Sequence, residues 1–159
     1  MAILIVETGM PPGDIPQRCG STAQWFLDAL NEIGKRGDIV RPYLGEALPV
    51  PTSVSGAIIT GSWSMVTDHE EWSEKTAEWI RQVLVFDIPL FGVCYGHQLM
   101  AYALGGEVGE NPEGGEKGTF TITLTEKGRN NLLLDGFPLQ FPAYIFHEQS
   151  VLTPPSGCD

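Results

Sequence analysis

The sequence predicts a doubly wound, mostly parallel α/β sheet with helices on both faces, plus a small antiparallel section after residue 117. Three observations carry that expectation. Short apolar runs alternate with amphipathic stretches of helical period through the first two-thirds of the chain. Two of those runs end in chemistry-bearing frames, at Thr60-Gly61 and Val93-Cys94, where the carboxyl ends of parallel strands place reactive groups. After Gly106 the texture changes to a polar, glycine-rich loop and then to strict alternation.

Residues 2–7, AILIVE, form the first apolar run and predict an opening strand; a turn-rich stretch follows over residues 8–20. Ser21-Thr22-Ala23-Gln24 is a capping-box pattern opening a helix, with Trp25, Phe26, Ala29, Leu30 and Ile33 on one face and Gly34 or Gly37 at its end. Residues 38–44 are a candidate second strand. The link Pro49-Val50-Pro51 leads to a buried strand over residues 56–61. A helix is expected over residues 68–86, with Asp68 and Glu71 as a cap pair and Trp72, Thr76, Trp79, Ile80, Val83 and Leu84 at helical spacing. Its two tryptophans read as core. Pro89-Leu90-Phe91-Gly92-Val93 has strand length, and Leu99, Met100, Ala103 and Leu104 mark a helix stopped by Gly105-Gly106. Residues 111–118 form a loop, 119–125 an antiparallel strand with one wet face, 132–134 a short turn and 143–151 a further strand. Together these describe a flavodoxin-like three-layer arrangement.

A chain of 159 residues is one domain by size. The net charge of -11 argues against a nucleic-acid or anionic-membrane surface, and no apolar run is long enough to span a bilayer. Three cysteines, Cys19, Cys94 and Cys158, lack C-x-x-C spacing, which favours a reducing, cytoplasmic setting and offers no metal framework. The sequence calls for no cofactor.

Gly92-Val93-Cys94-Tyr95-Gly96 has the spacing of a G-x-S-x-G nucleophile elbow with sulfur in place of oxygen. A nucleophile on such a strand-to-helix turn projects above the sheet, and the following helix N-terminus favours thiolate. Cys94 is therefore expected to have a depressed pKa and to be the only rapidly alkylated thiol of the three. The backbone N–H of Tyr95 suits an oxyanion.

The ten-residue string GVCYGHQLMA resembles the nucleophile segment of class I, triad-type glutamine amidotransferases, particularly the GMP-synthase-like branch. The resemblance implies hydrolysis of the glutamine side-chain amide through a Cys94 thioester, with ammonia passed to a synthetase or other ammonia-accepting partner. It also implies an oxyanion loop at Ile58 to Val66, where the N–H of Gly61 or Ser62 is the second donor; Ser62-Trp63 replaces the family's common Gly-Pro continuation. Gln98 resembles the position that contacts bound glutamine, and His147, Gln149 and Ser150 resemble the segment lining its pocket. His97, in the first turn of the elbow helix, reads as structural, and His69 as solvent-facing.

His147-Glu148 is not the family's catalytic His-x-Glu pair, since adjacent strand residues point to opposite faces. That pair has no counterpart here, so the resemblance implies a domain incomplete at its C-terminus across residues 1–159. The alternative is a non-catalytic module that docks on a partner or senses glutamine.

Overall fold

In a computed structural model, which describes residues 1–158, the chain forms a four-stranded parallel sheet flanked by helices and two short antiparallel ribbons. Strand β1 (Ile3–Val6) is followed by a short helix α1 (Ile15–Cys19), then α2 (Thr22–Glu32) and β2 (Gly37–Val40). Strand β3 (Gly56–Ile59), helix α3 (Glu71–Val85), strand β4 (Leu90–Gly92) and helix α4 (Tyr95–Ala103) complete the layered part. The sheet order is β2-β1-β3-β4, all parallel, so the crevice where the winding reverses lies beyond the carboxyl ends of β1 and β3.

Alternation along the strands divides the core in two. Ile3 and Ile5 face α2, packing with Ala23, Phe26, Leu27 and Leu30. Leu4, Val6, Ala57 and Ile59 face the other way, against Ala77, Ile80 and Val83 of α3 and Leu99 of α4. Trp79 is buried on that side and donates its indole N–H to the Pro49 carbonyl at 2.7 Å. Helices on both faces are thus established. No helix among the described residues is long and apolar enough to cross a membrane.

Several boundaries differ from the sequence reading, each for a local reason. The face of α2 turns so that Ala23, Phe26, Leu27 and Leu30 pack inward, leaving Trp25 and Ile33 exposed. The strand expected over residues 38–44 stops at Val40, because Pro42 fixes φ and lacks an N–H, and a 3₁₀ turn runs Pro42–Leu44. The helix expected from residue 68 begins at Glu71: Val66–Asp68 is a 3₁₀ turn ending at His69, whose φ of 50° breaks the helical path. The expected Asp68–Glu71 cap therefore does not form; Glu70 is the N-cap.

Beyond α4, β5 (Glu107–Glu110) pairs antiparallel with β8 (Gln149–Thr153). Strand β6 (Glu116–Thr123) pairs antiparallel with β7 (Gln140–His147), with α5 (Glu126–Arg129) between them. The single strand expected over residues 143–151 is divided at Glu148: its first part joins β6, its second joins β5.

Candidate functional site

The elbow forms as its residues require. Cys94 stands between β4 and α4 with φ 52° and ψ −109°, a conformation a non-glycine residue adopts only under strain. The flanking glycines are dictated by backbone contact. A Cβ on Gly92 would lie 2.6 Å from the Gly96 carbonyl carbon and the His97 nitrogen, and one on Gly96 would collide with the Ile59 carbonyl. Two hydrogen bonds lock the turn to β3: Val93 N–H to the Ile59 carbonyl (3.0 Å) and Gly96 N–H to the Thr60 carbonyl (3.1 Å).

The strand ends at Thr60-Gly61 and Val93-Cys94 lie side by side, as expected. A Cβ built on Gly61 would sit 3.5 Å from Cys94 Cβ, so glycine lets the loop lie against Cys94. The Cys94 sulfur opens onto a cavity of about 240 Å³ lined by Ser62, Trp63, Gln98, Phe146, His147 and Gln149, among others. A larger hollow, about 590 Å³, lies between the 42–48 loop and α3, lined by Trp72, Trp79 and three glutamates but by no cysteine or serine.

Each candidate residue has a definite place. Tyr95 sends its side chain into the core, where its hydroxyl meets Ser73 Oγ at 2.6 Å and its ring tilts against Trp72; only its backbone N–H serves the sulfur. Desolvation pushes the Tyr95 phenol up to about 12. Gln98 is buried and donates from Nε2 to the Gln149 carbonyl at 2.6 Å, tying α4 to β8. Gln149 donates to Thr67 Oγ1 at 2.6 Å, while its Oε1 is buried without a partner among the described residues. His147 also has a buried, unpartnered Nδ1. Ser150 pairs with Gly109 in the β5–β8 ribbon, outside the cavity lining.

The electrostatics of Cys94 differ from the sequence expectation. The Cys94 thiol is raised, not depressed: desolvation of the sulfur outweighs the N–H of Tyr95, which favours thiolate. The residue is exposed by surface area, yet atoms packed behind its sulfur exclude water from that side. The thiol donates to the Phe146 carbonyl at 3.7 Å, a contact only its protonated form makes. Cys19 and Cys158 are exposed as well, so accessibility gives Cys94 no monopoly on alkylation. His97 is held below the ordinary imidazole value by burial and then by its neighbour His147.

Sequence reasoning passed over Glu116, whose carboxylate lies 3.1 Å from His147 Nε2. It is the residue opposite His147 in the β6–β7 register, a pairing no local pattern announces. It also passed over Thr8. That buried residue follows β1 and hydrogen-bonds to Thr60 and Gly61 across a separation of more than fifty residues.

A family model described as Glutamine amidotransferase class-I matches residues 19–157. Over 140 residues the chain is 34% identical to a GMP synthase (glutamine-hydrolyzing) of Aeropyrum pernix, covering 86% of this chain and 25% of that protein. It is 34% identical over 84 residues to a GMP synthase (glutamine-hydrolyzing) subunit from Methanocaldococcus jannaschii, covering 53% of this chain and 43% of that one. The chain therefore spans less than half the length of these curated relatives. Among solved structures, a glutamine amido transferase from Methylobacillus flagellatus superposes with a TM-score of 0.79 at 23% identity, covering 97% of this chain and 58% of that one. Fold, elbow and family match agree, and the chain belongs to the class I glutamine amidotransferases.

Proposed function

We propose that this chain is a glutaminase domain in which Cys94 attacks the side-chain amide of glutamine and releases ammonia to a synthetase partner. The observation that carries the reading is the strained Cys94 elbow opening on a small cavity whose wall holds two unpartnered buried polar atoms, Gln149 Oε1 and His147 Nδ1. An apolar dead end needs no such groups. A glutamine molecule, with an amide at one end and an ammonium and carboxylate at the other, supplies partners for them. The curated relatives' names, GMP synthase in one case and a GMP synthase subunit in the other, support a synthetase as the ammonia acceptor.

In the first step the sulfur bonds to the amide carbon and the carbonyl oxygen becomes an oxyanion. The N–H of Tyr95 and a second N–H from the Gly61-Ser62 segment hold that oxyanion. Collapse breaks the carbon–nitrogen bond, and the thiol proton leaves on ammonia. Water then cleaves the thioester, giving glutamate and restoring the thiol. Gln98, His147, Gln149 and Ser150 form the substrate side of this reading, with Ser150 acting from the strand behind the wall. A reducing, cytoplasmic setting keeps Cys94 a thiol.

Among the described residues, no imidazole or carboxylate hydrogen-bonds to the Cys94 sulfur, whose partners are the Phe146 carbonyl and the Tyr95 N–H. Turnover by residues 1–159 alone is therefore expected to fall about 10²–10⁴-fold below that of an amidotransferase with its acid–base residue in place. The test is labelling rather than turnover. A chloroketone analogue of glutamine is expected to modify Cys94 ahead of Cys19 and Cys158, with free glutamine protecting. Absence of glutamine protection would sink the reading.

A further inference from the structure

We propose that Thr8 is a positioning residue for the oxyanion site: its hydroxyl fixes the Gly61 carbonyl, so that the Ser62 N–H is presented to the oxyanion formed at Cys94. This rests on the glutaminase reading and deepens it by selecting one donor of two.

In a trans peptide the carbonyl and the following N–H point in opposite directions, and the described chain has no cis peptide. The Thr60 carbonyl accepts from Gly96 N–H at 3.1 Å and from Thr8 Oγ1 at 2.9 Å, so the Gly61 N–H of the same plane faces away from the first turn of α4. The Gly61 carbonyl lies 3.0 Å from Thr8 Oγ1 and 3.1 Å from Thr60 Oγ1, both of which donate to it. Thr8 follows β1, Cys94 follows β4, and β3 lies between them in the sheet. A carbonyl aimed at Thr8 therefore turns the Ser62 N–H toward Cys94. No partner occupies that N–H among the described residues, whereas Ser62 Oγ is taken by Ser64 N–H at 3.0 Å.

The clamp is built to hold. Thr8 and Thr60 are both fully buried, so water does not compete for their hydroxyls. Thr60 Oγ1 accepts the Thr8 N–H at 3.1 Å, which leaves its own proton for Gly61. Thr8 Oγ1 shares its proton between the Thr60 carbonyl at 2.9 Å and the Gly61 carbonyl. A carbonyl fixed by two hydroxyls supplies the immobile dipole that stabilisation of a developing charge requires.

Two electrophiles separate this role from a structural one. The chloroketone analogue of glutamine reacts by addition of sulfur to its carbonyl, forming an alkoxide before chloride leaves. Iodoacetamide reacts by direct displacement of iodide at a saturated carbon, with no alkoxide. Thr8→Val keeps the shape and removes the hydroxyl. It is expected to slow chloroketone labelling of Cys94 about tenfold, below the ~10²–10³ for outright loss of an oxyanion donor. Iodoacetamide labelling of Cys94 should stay within about twofold, and Thr8→Ser should restore the chloroketone rate. If Thr8→Val does not fold, Thr8→Ala removes the hydroxyl with less crowding and carries the same expectations. Equal chloroketone rates in variant and parent, or equal slowing by both reagents, would overturn the positioning role. Failure of glutamine to protect the unsubstituted protein would overturn the glutaminase reading itself, so the two failures are told apart.

Discussion

Glu116 Oε2 lies 3.1 Å from His147 Nε2 across the β6–β7 pair, and the ring's other nitrogen is buried in the wall of the Cys94 cavity. The pair fixes which edge of the imidazole meets the pocket. Both side chains keep contact with solvent, so the interaction is screened and contributes at most ~1 kcal/mol to folding.

Glu116→Ala is therefore expected to leave the unfolding midpoint nearly unchanged while freeing the His147 ring. The concentration of glutamine needed to protect Cys94 from the chloroketone should rise about two- to fivefold, the binding equivalent of a pair of that strength. Iodoacetamide labelling of Cys94 should not change. A parental protection curve in Glu116→Ala would mean that the ring's orientation is irrelevant to the pocket.

The pH dependence of Cys94 follows from its raised pKa. Because burial holds the sulfur as a thiol, its alkylation by iodoacetamide should still be climbing above the ordinary cysteine value of about 8.5. The stability sign runs the same way. The folded state keeps its proton to a higher pH than the unfolded chain, so the contribution is present below the unfolded pKa and is lost as pH rises through the folded one. Rates mapped to Cys94 by peptide mass spectrometry across that range test this; a plateau reached below about pH 7.5 would contradict it.

Tyr95 separates side chain from backbone. Its hydroxyl bonds Ser73 deep in the core, while its N–H serves the sulfur from the other end of the residue. Tyr95→Phe should cost about 1–2 kcal/mol in denaturant unfolding, because Ser73 loses its buried partner. Labelling of Cys94 by either electrophile should stay within about twofold. A large and selective loss of chloroketone reactivity would show that the phenol takes part in the chemistry.

The legible parts of this protein are those where neighbouring residues in the chain must satisfy one another. Gly92 must lack a Cβ because Gly96 and His97 press on it from the same turn, and that demand is local; Gly96 shares the frame, although the atoms that exclude its Cβ belong to Ile59. The amphipathic faces of α3 and α4 are likewise local, fixed by helical period. What escaped notice depends on partners far along the chain. Strand β5, Glu-Val-Gly-Glu, has almost no apolar signal and exists because β8 lies beside it. The break at Glu148 falls inside the polar run His147 to Ser150, which holds no glycine or proline to mark it. Thr8 looked like the first residue of a loop, and only the approach of Thr60 makes it a clamp. Trp25 and Ile33 mark the converse error: their hydrophobicity suggested an inward face, but Leu27 and Ala23 sit closer to β1 and take the space.

The division at Glu148 gives the pocket two lineages. Its floor, Cys94 and the Gly61-Ser62 segment, is strapped to the parallel sheet by bonds from Val93 and Gly96 to β3 and the residue after it. Its wall, Phe146 to Gln149, is the junction of two separate ribbons, with Phe146 and Tyr144 left open to solvent. On the glutaminase reading, a substitution in the floor bears on the chemistry at the sulfur. On the same reading, one in the wall bears on which molecule is offered to it. Read so, residues 144–149 are where one small amide could be exchanged for another while the residues around Cys94 stay as they are.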